Sequence, residues 1–133
     1  MIGTETLERY TPHALAVLRI VTALIFLEHG SQKLFGFPAA APPSGLPPAL
    51  SFFWFGGILE FFGGLLLLVG LFTRCAAFVL AGEMAVAYWL IHAPKSVFPA
   101  LNGGDAAVLY CFVFLYLVFA GPGPWSIDRM RER

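Results

Sequence analysis

Residues Phe52–Leu71 read FFWFGGILEFFGGLLLLVGL. A membrane-spanning helix needs about 20 consecutive, mostly apolar residues, and this run supplies them. Only Glu60 in it carries a charge. An ionised carboxylate near the middle of a bilayer costs roughly 2.5–3.5 kcal/mol on insertion scales, so a chain that keeps one pairs it inside the protein. The glycines mark where a partner would approach. Gly56, Gly57, Gly63 and Gly64 fall three or four residues from Glu60, on one helical face. Small residues there let another helix, or a flat ligand, come close to the backbone. The segment is therefore a membrane helix whose carboxylate faces protein rather than lipid.

The rest of the chain agrees. Of 133 residues, 59% are hydrophobic and 12% charged, against about 25% charged in soluble domains. The length suits a single domain, residues 1–133. A net charge of zero, with no basic stripe and no zinc-ligand spacing, gives nucleic acid no footing. Cys75 and Cys111 lie far apart with no CxxC, so no thiol–disulfide relay is expected. Arg9, the apolar stretch after it and Ala39-Ala40-Ala41 imitate a cleavable signal. Pro42 after the site, and Glu28, His29 and Lys33 before it, favour a retained helix.

Four spans are predicted: Pro12–Phe35, with Thr11 as N-cap and Pro12 at the first helical position; Ala49–Leu71; Cys75–Ile91; and Gly104–Ala120, stopped by Gly121-Pro122-Gly123-Pro124. The Phe37–Leu50 connection is proline-rich and cannot be helical throughout; Phe72–Arg74 is a tight turn. The expected fold is an all-α membrane protein, a four-transmembrane-helix bundle. Arg9, Arg74, Arg129, Arg131 and Arg133 would share one side and Lys33 and Lys95 the other, which places both termini in the cytoplasm.

This orientation sorts the polar residues. Glu28, His29 and Lys33 end helix one on the outer side. Glu60 lies about 12 Å inside the outer end of helix two, at 1.5 Å per residue. His92, Lys95, Asn102 and Asp105 gather at the outer ends of helices three and four. Arg19 and Glu83 form a second set and are expected to pair as a structural salt bridge. Asn102 and Asp105 have two readings. They cap a helix, or, with Gly103 and Gly104 baring N–H groups, they hold an anion or carbonyl. His29, His92 and Glu60 are metal-ligand types, but no HxxxH or ExxH spacing supports them and no metal is expected.

The motifs resemble the DoxX family over nearly the whole chain. His29-Gly30-Ser31-Gln32-Lys33-Leu34-Phe35-Gly36 is similar to its first-helix signature, and Gly57–Arg74 to its second-helix segment. His92-Ala93-Pro94 with Phe98–Asp105, and Gly121–Asp128, are similar to later family segments. The resemblance implies a multi-pass protein of the bacterial inner membrane with an oxidoreductase role. Some relatives are tied to quinone-coupled sulfur oxidation, to resistance against quinones or catechols, or to oxidative-stress complexes. It assigns no residue a catalytic role.

Two functions follow. A redox enzyme acting on a quinone-like molecule needs a flat apolar slot, donors at the carbonyls and a proton source. Glu60, His29, Lys33 and His92 are the candidates for the chemistry; Asn102, Asp105, Gly57 and Gly64 are the candidates for holding the ligand. No flavin, nucleotide or haem motif is present, so electrons would come from a redox protein partner or second substrate. The alternative is a non-catalytic scaffold or assembly subunit whose buried polar network is structural. A homo-oligomer is compatible with either.

Overall fold

The computed structural model describes residues 1–39 and 42–133, and those residues contain helices and no strand. Ala40 and Ala41, from the signal-like alanine run, lie outside the described residues. Helix α1 spans Thr4–Phe35, α2 Phe52–Val69 and α3 Thr73–Ala87. A π-helical turn, Tyr88–His92, and a 3-10 turn, Ala93–Lys95, extend α3. The short α4, Pro99–Asn102, precedes α5, Asp105–Ala120, and α6 is Ile127–Arg131. Thr4–Phe35, Phe52–Val69 and Thr73–Lys95 are long and apolar enough to cross a membrane. The apolar α5 has 16 residues, about 24 Å at 1.5 Å each.

Helix α1 corrects one expectation. It starts at Thr4, and Pro12 lies inside it. Its first turns carry good helix formers and are exposed, so the carbonyl that Pro12 leaves without a partner meets solvent. The other boundaries follow local chemistry. Ser51 caps α2, its hydroxyl accepting the Trp54 N–H at 3.3 Å. Gly36 and Gly70 end α1 and α2 in the left-handed conformation that glycine adopts without strain.

Helix α1 packs chiefly on α2, and α3 chiefly on α5, with a lighter seam between α2 and α3. The core lies between the helices: Ala23, Phe26, Leu67, Ala77, Leu80, Phe114 and Leu117 are all but fully buried. The outer surface is apolar, with Phe55, Trp89, Leu109 and Phe119 more than half exposed. Such a surface suits lipid, not water. Gly30 sets the α1–α2 crossing: a Cβ there would lie 2.5 Å from Phe61 N and 2.9 Å from Phe61 Cα. Backbone meets backbone at that point, as at small-residue contacts between membrane helices.

The C-terminal segment closes the opposite end of the bundle. Buried Arg19 donates to the carbonyls of Pro122 (2.6 Å) and Trp125 (2.8 Å). Arg74 donates to the carbonyls of Val118 and Phe119, 2.6 Å each, at the end of α5. Asp128 accepts the N–H groups of Phe72 and Thr73, 2.9 Å each, and its own N–H bonds Gly70 O. It thus caps α3 from a distant part of the chain. Burial alone would push the Asp128 carboxyl up, but the hydrogen bonds from Thr73 and Phe72, with Arg131 nearby, outweigh it and hold the group below its usual value.

A cleft floored by Lys33, Glu60 and Glu83

Glu60 sits midway along α2 and is 3% exposed. Its Oε1 accepts from Lys33 Nζ of α1 at 2.5 Å. The close α1–α2 crossing makes this pair possible. Gly30 lies three residues before Lys33, and Gly57, one turn before Glu60, receives the stem of Lys33: a Cβ on Gly57 would lie 2.9 Å from Lys33 Cβ. The sequence reading placed Lys33 and Glu60 among its candidates, and the structure joins them.

Glu83 completes the floor from α3. Its Oε1 lies 3.4 Å, and Lys33 Nζ 3.8 Å, from where a side chain on Gly56 would begin. Gly56 therefore keeps open the space that the three charged groups share. Oε2 of Glu60 and Oε2 of Glu83 are both buried without a hydrogen-bond partner among the described residues. Above the floor a cleft of about 270 Å³ runs between α2 and α3, walled by Phe52, Phe55, Leu59, Val79, Val86 and Ile91. Apolar cavities of about 150 Å³ take up benzene, so a substituted ring fits here. Gly82 lies on the rim, with nothing within 4 Å of a Cβ placed on it. The π turn of α3 starts five residues after Glu83; such turns in helices occur frequently at functional sites.

The expected Arg19–Glu83 salt bridge does not form, and depth explains why. Arg19 lies level with the end of α2, where a Cβ on Gly70 would come 2.7 Å from its Nη1, and its donors go to the C-terminal segment. Glu83 is ten residues beyond Thr73, the start of α3, about 15 Å along the helix. The sequence held a usable signal. Glu60 lies nine residues before the end of α2 at Val69, and Glu83 ten after the start of α3 at Thr73. Across a tight turn such positions fall at one depth.

The remaining candidates lie elsewhere. His29 is exposed and sets its ring edge against Tyr110 of α5, centroids 6.1 Å apart. His92 Nδ1 lies 3.1 Å from Asn102 O; a carbonyl only accepts, so the ring proton sits on Nδ1. Buried Asn102 spends its side chain on Tyr88 Oη, Ser96 O and the Gly104 N–H. This geometry leaves nothing for a ligand, and it corrects the capping expectation as well: Gly104 is the N-cap of α5 and no side chain among the described residues caps that helix, while Asn102 ends α4 and ties the α4–α5 turn. Asp105 is exposed in the first turn of α5. Gly64 is covered by Leu27, 2.9 Å from its would-be Cβ, and Gly57 by Lys33. Both glycines serve helix packing and offer no free surface to a ligand. Among the described residues no three His, Cys, Asp or Glu side chains gather as a metal site. A larger hollow of about 730 Å³ lies at the other end, beside Arg74, which is spent on the end of α5, and Asp128, which is spent on the start of α3.

Comparison with known proteins agrees with the motifs. The family model for DoxX matches residues 14–93. An uncharacterised protein of Haemophilus influenzae is 42% identical over 93% of this chain and 95% of its own length. An uncharacterised membrane protein of Mycobacterium tuberculosis is 29% identical, covering 89% of this chain and 81% of its own. The inner membrane protein YqjF of Escherichia coli is 29% identical, covering 88% and 91%. No solved structure matches. With the family's model matched over more than half of its residues, and with three helices fit to cross a bilayer, the chain is a multi-pass membrane protein of the DoxX family.

Proposed function

We propose that this protein binds a lipid-soluble, quinone-like molecule in the α2–α3 cleft and serves redox chemistry there, as an oxidoreductase or as the membrane subunit of a redox complex. The observation that carries this reading is the Lys33–Glu60 pair with Glu83 at the floor of an apolar, laterally placed cleft. A flat ring would enter between the phenylalanines of α2 and the aliphatic side chains of α3 and meet the Lys33 ammonium and the Glu83 carboxyl at the floor. Electrons would pass to or from a partner protein or second substrate, since the sequence carries no flavin, nucleotide or haem motif.

The same proposal includes the arrangement in the membrane. The protein resides in the inner membrane with α5 as a fourth span and both termini in the cytoplasm. Arg9, Arg74, Arg129, Arg131 and Arg133 gather at the tail end of the bundle. At the other end Lys33 is committed to Glu60, which leaves Lys95. This asymmetry supports the orientation.

Equilibrium binding of a decyl-substituted para-benzoquinone to the purified protein in lipid nanodiscs, read by quenching of tryptophan fluorescence, tests the site. Gly82→Leu fills the cleft from an open position and should abolish saturable quenching while leaving helix content unchanged. Equal binding by wild type and Gly82→Leu would rule the cleft out. The scaffold alternative draws on Arg19, Asn102 and Asp128, all spent on internal hydrogen bonds. Wild-type protein that shows no saturable quinone binding would favour it.

A further inference from the structure

The charges at the floor of the cleft do not cancel. Lys33 supplies one positive charge, and its ammonium is bonded to Glu60. Glu83 Oε1 and Lys33 Nζ of α1 flank one point, 3.4 and 3.8 Å from a Cβ placed on Gly56, and Glu60 of α2 lines the same cleft. Helix α5, packed behind α3, carries only Asp105, exposed in its first turn. One ammonium therefore stands against two carboxyls. With both ionised, the cluster would hold an uncompensated negative charge beside lipid, with two buried oxygens unpartnered. Desolvation and a like charge both disfavour the second carboxylate. Glu60 keeps the short bond to Lys33, so the proton falls to Glu83.

We propose that the Lys33–Glu60–Glu83 cluster holds one proton at neutral pH, carried by Glu83, and that this carboxyl is the proton-exchanging group of the cleft. The cluster is then neutral. It offers a carbonyl-bearing ring two kinds of donor, the Glu83 O–H and the Lys33 ammonium, while the Glu60 carboxylate stays buried behind them. An uncharged ligand with carbonyl or hydroxyl oxygens suits it. A carboxylate or a fixed cation would unbalance it. Glu83 thus joins Glu60 as a functional residue. Its exchange with a ligand rests on the quinone-like reading above; the bound proton does not.

Infrared spectroscopy of the protein in nanodiscs, in light and heavy water, counts protonated carboxyls through their carbonyl stretch and its isotope shift. Wild type at neutral pH should show one such group. Glu83→Gln should lose the band with Lys33–Glu60 intact. Glu60→Gln should lose it too, because Lys33 then pairs with Glu83 and ionises it. Lys33→Met should double it; should that variant fail to assemble, the two glutamine variants carry the test alone. No band in wild type, or a band that survives Glu83→Gln, overturns the proposal. Adding decyl para-benzoquinone should shift the Glu83 band. A band assigned to Glu83 that ignores saturating quinone overturns the exchange step and leaves the bound proton standing.

Discussion

Asp128→Ala should loosen the start of α3 from the C-terminal segment. The carboxylate accepts two backbone N–H bonds of 2.9 Å, from Phe72 and Thr73. Phe72 adopts a φ of 48°, a conformation unusual for a bulky residue, so the cap also holds a strained turn. Losing a helix N-cap acceptor costs about 0.5–2 kcal/mol, and a hydrogen bond to a charged group contributes about 1.5–3 kcal/mol. Water reaches the Phe72 side, which takes the sum toward the lower end: about 2 kcal/mol for Ala, and about 1 kcal/mol for Asn, which keeps one acceptor oxygen. Unfolding of the protein in mixed micelles, followed by loss of helical circular dichroism, measures this. The effect also has a pH signature. Because the folded-state carboxyl is held below its usual value, its stabilisation is full above the ordinary aspartate range, about 3.9, and is lost as pH falls through the lower folded value. The gap between wild type and Asp128→Asn should therefore close in acid. A variant as stable as wild type at neutral pH, or a gap that does not change with pH, would refute the cap.

Three further outcomes are expected. Gly30→Ala forces a Cβ against the Phe61 backbone and should cost about 1–3 kcal/mol or more, whereas Gly82→Ala, inside α3 with open space, should stabilise by about 0.5–1 kcal/mol in the same unfolding assay. Arg19→Met leaves the Pro122 and Trp125 carbonyls without donors, which should destabilise by about 3 kcal/mol and speed proteolysis of the C-terminal segment; an Arg19→Met tail as protease-resistant as wild type would contradict its role. A single cysteine at Ser44 in a cysteine-free background should react with impermeant maleimide only from the periplasm; labelling from the cytoplasm alone would invert the orientation.

Much of this architecture was legible because apolar runs bounded by Gly and Pro leave little choice. The expected α2 boundaries lie within a few residues of those observed; Glu60 stands out by its rarity at depth, and Lys33 by its place with His29 at the outer end of helix one. Pro12 misleads because proline is favoured at the first helical position, and here eight further residues, exposed on all sides, continue the helix before it. The pairing of Arg19 with Glu83 rests on opposite charge and on a similar depth near the cytoplasmic side, and the depth is what fails. Helices α1 and α3 are not neighbours in the chain, so no turn fixed their relative depth, while the tight Gly70–Phe72 turn did fix that of Glu60 and Glu83. Asp128 was invisible as a cap because its partners lie more than fifty residues away. The ligand-holding reading rests on the spacing of Gly64 from Glu60 and on the place of Asn102 beside Gly103 and Gly104; their neighbours and hydrogen bonds give them packing work instead.

The most direct test of the cleft is photoaffinity mapping with a diazirine-bearing para-benzoquinone in native membranes. The reading predicts adducts on Phe52–Glu60 and Val79–Ile91, removed by excess unlabelled quinone and by Gly82→Leu. Adducts confined to the C-terminal segment, or labelling that excess quinone leaves unchanged, would contradict it.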